Sequence, residues 1–130
     1  MADSGRQRVV FIDDDPDMVN LVTLMLDQNR FDVVGASDGV TGLNLMHQTP
    51  PDVVLLDLML PDMGGWDIYQ VMRDDPDLAD IPVIIVTAQN TPIYRILGER
   101  VAQVQFYITK PFSPTTLRNA VDAALSGETQ

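Results

Sequence analysis

Val9-Val10-Phe11-Ile12, Val53-Val54-Leu55-Leu56 and Val83-Ile84-Ile85-Val86 are unbroken apolar runs. A strand with one wet face alternates apolar and polar residues, whereas a strand buried on both faces reads as a continuous run. These runs therefore predict central strands of a parallel sheet, which needs helices on both sides. The intervening segments supply them. From Pro16, a residue suited to a first helical turn, Met18, Leu21, Val22, Met25 and Leu26 recur at helical spacing. Phe31 to Ala36 is a further strand candidate, and Ser37 or Asp38 caps a helix whose apolar positions are Val40, Leu43, Leu45 and Met46. Pro50-Pro51 ends it, and a turn from Pro61 to Gly65 precedes a helix over Trp66 to Met72. Thr91-Pro92 opens another, with Ile93, Ile96, Leu97, Val101 and Val104 on one face. Phe106 to Thr109 is a short last strand, and Ser113-Pro114 starts a helix carrying Leu117, Ala120, Val121, Ala124 and Leu125.

Five strands alternating with five helices predict an α/β doubly wound parallel sheet with right-handed crossovers, in the flavodoxin-like order 2-1-3-4-5. The 130 residues suit one domain, expected over residues 8–125 with flexible ends at 1–7 and 126–130. No run is long enough to cross a bilayer and the start, MADSGRQR, has no apolar core, so no membrane association and a cytoplasmic location are expected. Zero cysteines exclude disulfides, thiolate zinc and thiol catalysis. A net charge of −11 opposes direct nucleic-acid binding by this domain. The acids crowd one stretch, Asp13, Asp14, Asp15 and Asp17.

Ligands of an open parallel sheet bind beyond the carboxyl ends of its strands, where the strand order reverses. Here those ends carry Asp13-Asp14, Asp57, Thr87 and Thr109-Lys110. The order 2-1-3-4-5 makes strands one and three neighbours, bringing Asp57 beside the acid pair. Three carboxylates repel unless a hard cation sits among them; magnesium, which prefers oxygen and binds phosphate, suits best. Lys110 then offers a positive charge and Thr87 a hydroxyl to a phosphoryl group on Asp57, a set of parts that matches phosphoryl transfer to a carboxylate.

The segments FIDDDPD, ASDGVTGL, PDVVLLDLMLPDMGG, IPVIIVTA and YITKPF occur in order, and through them the chain resembles the receiver domains of two-component response regulators from about Val9 to Leu125. The resemblance implies a signalling phosphoacceptor that catalyses its own phosphorylation and dephosphorylation. The acid pair falls on Asp13 and Asp14, the acceptor on Asp57, the switch hydroxyl on Thr87, the lysine on Lys110 and the aromatic switch on Tyr107. It further implies a metal-binding main-chain carbonyl at Met59 and a cis peptide bond between Lys110 and Pro111. The implied metal is magnesium, or alternatively manganese. The implied partners are a sensor histidine kinase or phosphotransfer protein, and a downstream effector or fused output domain that reads the fourth-helix, fifth-strand and fifth-helix surface. One stretch departs from the family: Gln103, Val104, Gln105 and Phe106 stand where many receivers have Gly-Ala-Asp-Asp, which removes the acids that one subfamily pairs across its dimer.

Asp15 and Asp17 read as ordinary first-turn acids, His47 as a surface or partly buried residue, and Trp66 as packing. Tyr107 reads as packing on its own residues and as a switch only through the resemblance. An aspartyl-phosphate hydrolase with Asp13 as nucleophile is disfavoured by Asp17 and by chain length. A calcium loop counted from Asp13 puts Met18 and Leu24 where glycine and glutamate belong. An interaction module of the same fold that is never phosphorylated would lack one of the acids or the lysine, and all are present.

Overall fold

The apolar runs become the strands of one sheet. In the computed structural model, residues 5–60, 62–88 and 106–127 are described, with the backbone alone for Thr87. The helix expected from Thr91, the departure at Gln103 to Gln105 and the outermost residues of both ends lie outside the described residues. The elements run β1 (Gln7–Ile12), α1 (Pro16–Met25), β2 (Phe31–Ala36), α2 (Gly39–Gln48), β3 (Val53–Asp57), α3 (Gly65–Asp74), β4 (Val83–Ala88), β5 (Phe106–Lys110) and α4 (Pro114–Ser126). All neighbouring strands pair in parallel, in the expected order β2-β1-β3-β4-β5.

Each central run feeds two cores, because successive side chains of a strand point to opposite faces. Val10, Ile12, Val54, Leu56 and Ile85 meet Met46, Ile68, Met72 and Leu78 on the α2–α3 side. Val9, Phe11, Leu55, Ile84 and Val86 meet Val22, Leu117, Ala120, Val121 and Ala124 on the α1–α4 side. Burying one such aliphatic side chain stabilises by roughly 1.5–3 kcal/mol, so each layer contributes substantially to holding the sheet. Among the described residues no helix is long and apolar enough to cross a membrane.

The helix starts follow from their caps. The Asp15 carboxylate accepts the Asp17 N–H at the head of α1, Asp38 rather than Ser37 accepts the Thr41 N–H at α2, and Ser113 accepts the Thr116 N–H at α4. Two apolar positions differ from expectation: Val40 is 57% exposed and Leu21 44%. The buried residues of α2 are Gly39, Gly42 and Met46, so this helix leans on its glycine edge and Val40 rotates out. In α1 the contact row is Met18, Val19, Val22 and Met25, which leaves Leu21 at its margin.

Candidate functional site

The register assembles the strand-end residues. Ile12 pairs with Leu56, so the residues that follow them, Asp13 and Asp57, stand at the same level of the sheet edge. Lys110 ends β5 two residues beyond Ile108, on the same face by the period of two. Its Nζ donates to Asp13 Oδ2 at 2.7 Å and to Asp57 Oδ2 at 3.3 Å, reaching past the end of β4. Asp57 Oδ1 accepts the Met59 N–H at 2.9 Å, and Asp13 Oδ1 accepts the Asp15 N–H at 2.9 Å.

Asp13 and Asp57 are the buried polar residues of the described chain, 2% and 7% exposed. Burial pushes the Asp57 carboxyl above its usual range; the Met59 N–H and Lys110 oppose that shift, and the charge of Asp13 adds to it. Burial works against the Lys110 ammonium, but the bond to Asp13 and the charges of both carboxylates outweigh it and hold its pKa above the ordinary value. Asp14 is exposed, and one carboxylate oxygen from each of Asp13, Asp14 and Asp57 lies within 4.8 Å of the others. Magnesium binds oxygen at about 2.0–2.1 Å, so oxygens facing each other across it are about 4.2 Å apart. Three carboxylate oxygens gathered within 4.8 Å can share one hard ion, and the negative excess over one ammonium favours a divalent cation.

The loop after Asp57 is held by backbone as well. Gly65 N–H donates to the Leu58 carbonyl at 3.0 Å, and a Cβ on Gly65 would fall 2.3 Å from the Asp57 carbonyl oxygen. Only glycine lets the head of α3 approach the end of β3 so closely. This requirement, and the bonds made by Asp62 described below, were not legible in the turn sequence PDMGG. No spacing signal marks them, because both depend on what lies opposite in space.

The remaining expectations fall as follows. Thr87 stands near the end of β4, its backbone in register with Thr109. Tyr107 is 43% exposed on edge strand β5. The Met59 side chain is 63% exposed, while its N–H faces Asp57. The Lys110-Pro111 peptide is cis, as the resemblance implies. Asp15 and Asp17 belong to the start of α1. His47 is remote from the site, bonded to Asp75 at 2.6 Å, and Trp66 is buried and stacked on Tyr69 with ring centroids 5.0 Å apart.

The family model of the response regulator receiver domain matches residues 9–122. The DNA-binding response regulator MtrA of Mycolicibacterium smegmatis is 37% identical over 123 residues, covering 95% of this chain and 52% of that protein. The chain thus spans about half the length of the MtrA relatives it matches. Protein PilH of Pseudomonas aeruginosa is 33% identical over 120 residues, 92% of this chain and 98% of PilH. Among solved structures, the N-terminal domain of a response regulator receiver protein from Methanoculleus marisnigri shares 31% identity at a TM-score of 0.71, covering 92% of this chain and 97% of that one. The chemotaxis response regulator CheY4 of Vibrio cholerae has a TM-score of 0.81 over 92% of this chain and 99% of its own, and at 23% identity it shows the fold alone. With the fold, the strand-end acids and a family match over most of its length, the chain belongs to the receiver domains of two-component response regulators.

Proposed function

We propose that this domain takes a phosphoryl group onto Asp57 from a sensor histidine kinase or phosphotransfer protein, in a magnesium-dependent reaction. The observation that carries the reading is the convergence of Asp13, Asp14 and Asp57 with the Lys110 ammonium bridging the two buried acids. Asp13, Asp14, Asp57 and the Met59 main-chain carbonyl would hold the metal. When bound, magnesium supplies positive charge to the phosphoryl oxygens. A carboxylate oxygen of Asp57 attacks phosphorus, the bond from phosphorus to the donor atom breaks, and the donor leaves with its electron pair. The Met59 N–H and Lys110 orient the attacking carboxylate. Lys110 is close enough to Asp57 to follow the negative charge as it moves outward onto the phosphoryl group. In the return step a water oxygen attacks phosphorus, the bond from phosphorus to the Asp57 oxygen breaks, and free phosphate and the Asp57 carboxylate are released.

The output step rests on the resemblance. Phosphorylation adds about −1.5 to −2 units of charge at Asp57. Thr87 donates to the new oxygens, Tyr107 turns inward, and the surface of the fourth predicted helix, β5 and α4 changes for an effector or a fused output domain. The register of Thr87 with Thr109 and the exposure of Tyr107 on β5 support that route. Acetyl phosphate tests the first step. With magnesium, intact mass should rise by one phosphoryl group in the wild type and not in Asp57→Asn. Labelling of that variant at the wild-type rate would overturn the assignment.

A further inference from the structure

Asp62 is an exposed residue of the β3–α3 loop, five positions after Asp57. Its carboxylate reaches across to another element: Oδ1 accepts the Gly39 N–H at 2.9 Å and Oδ2 the Val40 N–H at 3.1 Å. These are first-turn amides of α2, which have no partner within the helix. Asp38 accepts the next one, from Thr41, at 2.7 Å. The head of α2 therefore carries two carboxylates, one from its own chain entry and one from the loop that follows Asp57. The contact is fitted sterically too, since a Cβ on Gly39 would lie 2.6 Å from Met63 Cγ. The N–H groups of Gly39 and Val40 hold the Asp62 carboxyl below its ordinary value.

This tether closes a short circuit. The loop leaves β3 at Asp57, is necked by the Gly65 to Leu58 bond, and is tied to α2 by Asp62. Met59 lies inside that circuit, and its N–H orients Asp57 Oδ1. We propose that Asp62 is a positioning residue: by pinning the loop to the head of α2 it fixes the Met59 peptide, and with it the Asp57 carboxylate. Its consequence for magnesium affinity rests on the phosphoacceptor reading; its effect on the Met59 N–H does not.

Asp38 provides the control, because it caps the same helix and, among the described residues, its carboxylate accepts from Thr41 of that helix and not from a loop amide. In metal-free protein, amide hydrogen exchange followed by NMR should be about tenfold faster at Gly39, Val40 and Met59 in Asp62→Ala. Asp38→Ala should speed Thr41 and leave Met59 unchanged. Asp62→Asn retains one acceptor oxygen and should fall between Asp62→Ala and wild type. Magnesium binding, measured by calorimetry, should weaken about tenfold in Asp62→Ala and stay near wild type in Asp38→Ala. If Asp62→Ala leaves Met59 exchange and magnesium affinity where Asp38→Ala leaves them, Asp62 is a helix cap and the proposal fails. If wild type itself binds no magnesium, the phosphoacceptor reading fails, and Met59 exchange still decides the role of Asp62.

Discussion

Asp57 ends β3 and Asp62 lies five residues on in the loop that follows, yet their surroundings drive their carboxyl groups in opposite directions. Asp57 is at a strand end, buried beside Asp13 and held above the usual range. Asp62 meets the amides of a helix start and is held below it. The same contrast divides adjacent residues of the acidic run: Asp14 belongs to the strand-end cluster, whereas Asp15 accepts the Asp17 N–H at the head of α1. A helix start offers a carboxylate free donors in a favourable dipole. The carboxyl edge of a parallel sheet offers neighbouring strand ends, which bring like charges together. Acids at the first kind of place stabilise local structure, and acids at the second kind remain available to a cation.

The sharpest way to break this contrast is to remove the one described cation that bridges the strand-end acids. Lys110→Ala should slow acetyl phosphate labelling of Asp57 by about a hundredfold, the usual cost of deleting one preorganised charge-stabilising donor. Single-turnover mass spectrometry measures it, and a change under threefold would leave Lys110 a merely structural partner of Asp13. A smaller effect is expected on stability. Asp57→Asn removes a buried charge held near Asp13, so without metal it should raise Tm by about 3–6 °C. Saturating magnesium should narrow that gap, because the wild type gains more from binding. A lower Tm for the variant under metal-free conditions would contradict crowding at the site.

How far the sequence foretold this depends on whether a feature is local. Apolar runs that stop at Asp13 and Asp57, and a strand that stops at Lys110, told both the sheet and the edge where these side chains converge, because strand ends are written in the chain itself. Val40 counts among the apolar positions of α2 by spacing, yet spacing does not show that α2 packs on Gly39 and Gly42. Asp62 read as a turn residue because its partners lie 22 and 23 residues away, on a helix whose placement is tertiary. The helix expected from Thr91 to Val104 lies outside the described residues.

The helix-end side of the comparison has a pH signature, and it is the smallest effect. Exposed His47 at the end of α2 bonds Asp75 at the end of α3, which raises the His47 pKa from 6.5 and lowers that of Asp75 from 3.8. On the alkaline side the stabilisation is complete below 6.5, where His47 is charged folded or unfolded, and is lost as pH rises through its higher folded pKa. On the acid side it is complete above 3.8 and is lost as pH falls through the lower folded pKa of Asp75. His47→Gln should therefore lower Tm by about one degree near pH 5.5 and leave it unchanged near pH 9, as exposed pairs contribute little. Equal losses at both pH values would show that the ion pair is not the cause.

Magnesium binding to neighbours in the acidic run tests the central distinction most directly. Titration calorimetry on metal-free protein should show one site in the wild type, a loss of at least about tenfold in affinity for Asp14→Ala, and near wild-type affinity for Asp15→Ala. The Asp15 variant should pay instead in stability, by about 1 kcal/mol for the lost cap. Equal losses of magnesium affinity in the two variants would contradict the division between strand-end and helix-end carboxylates.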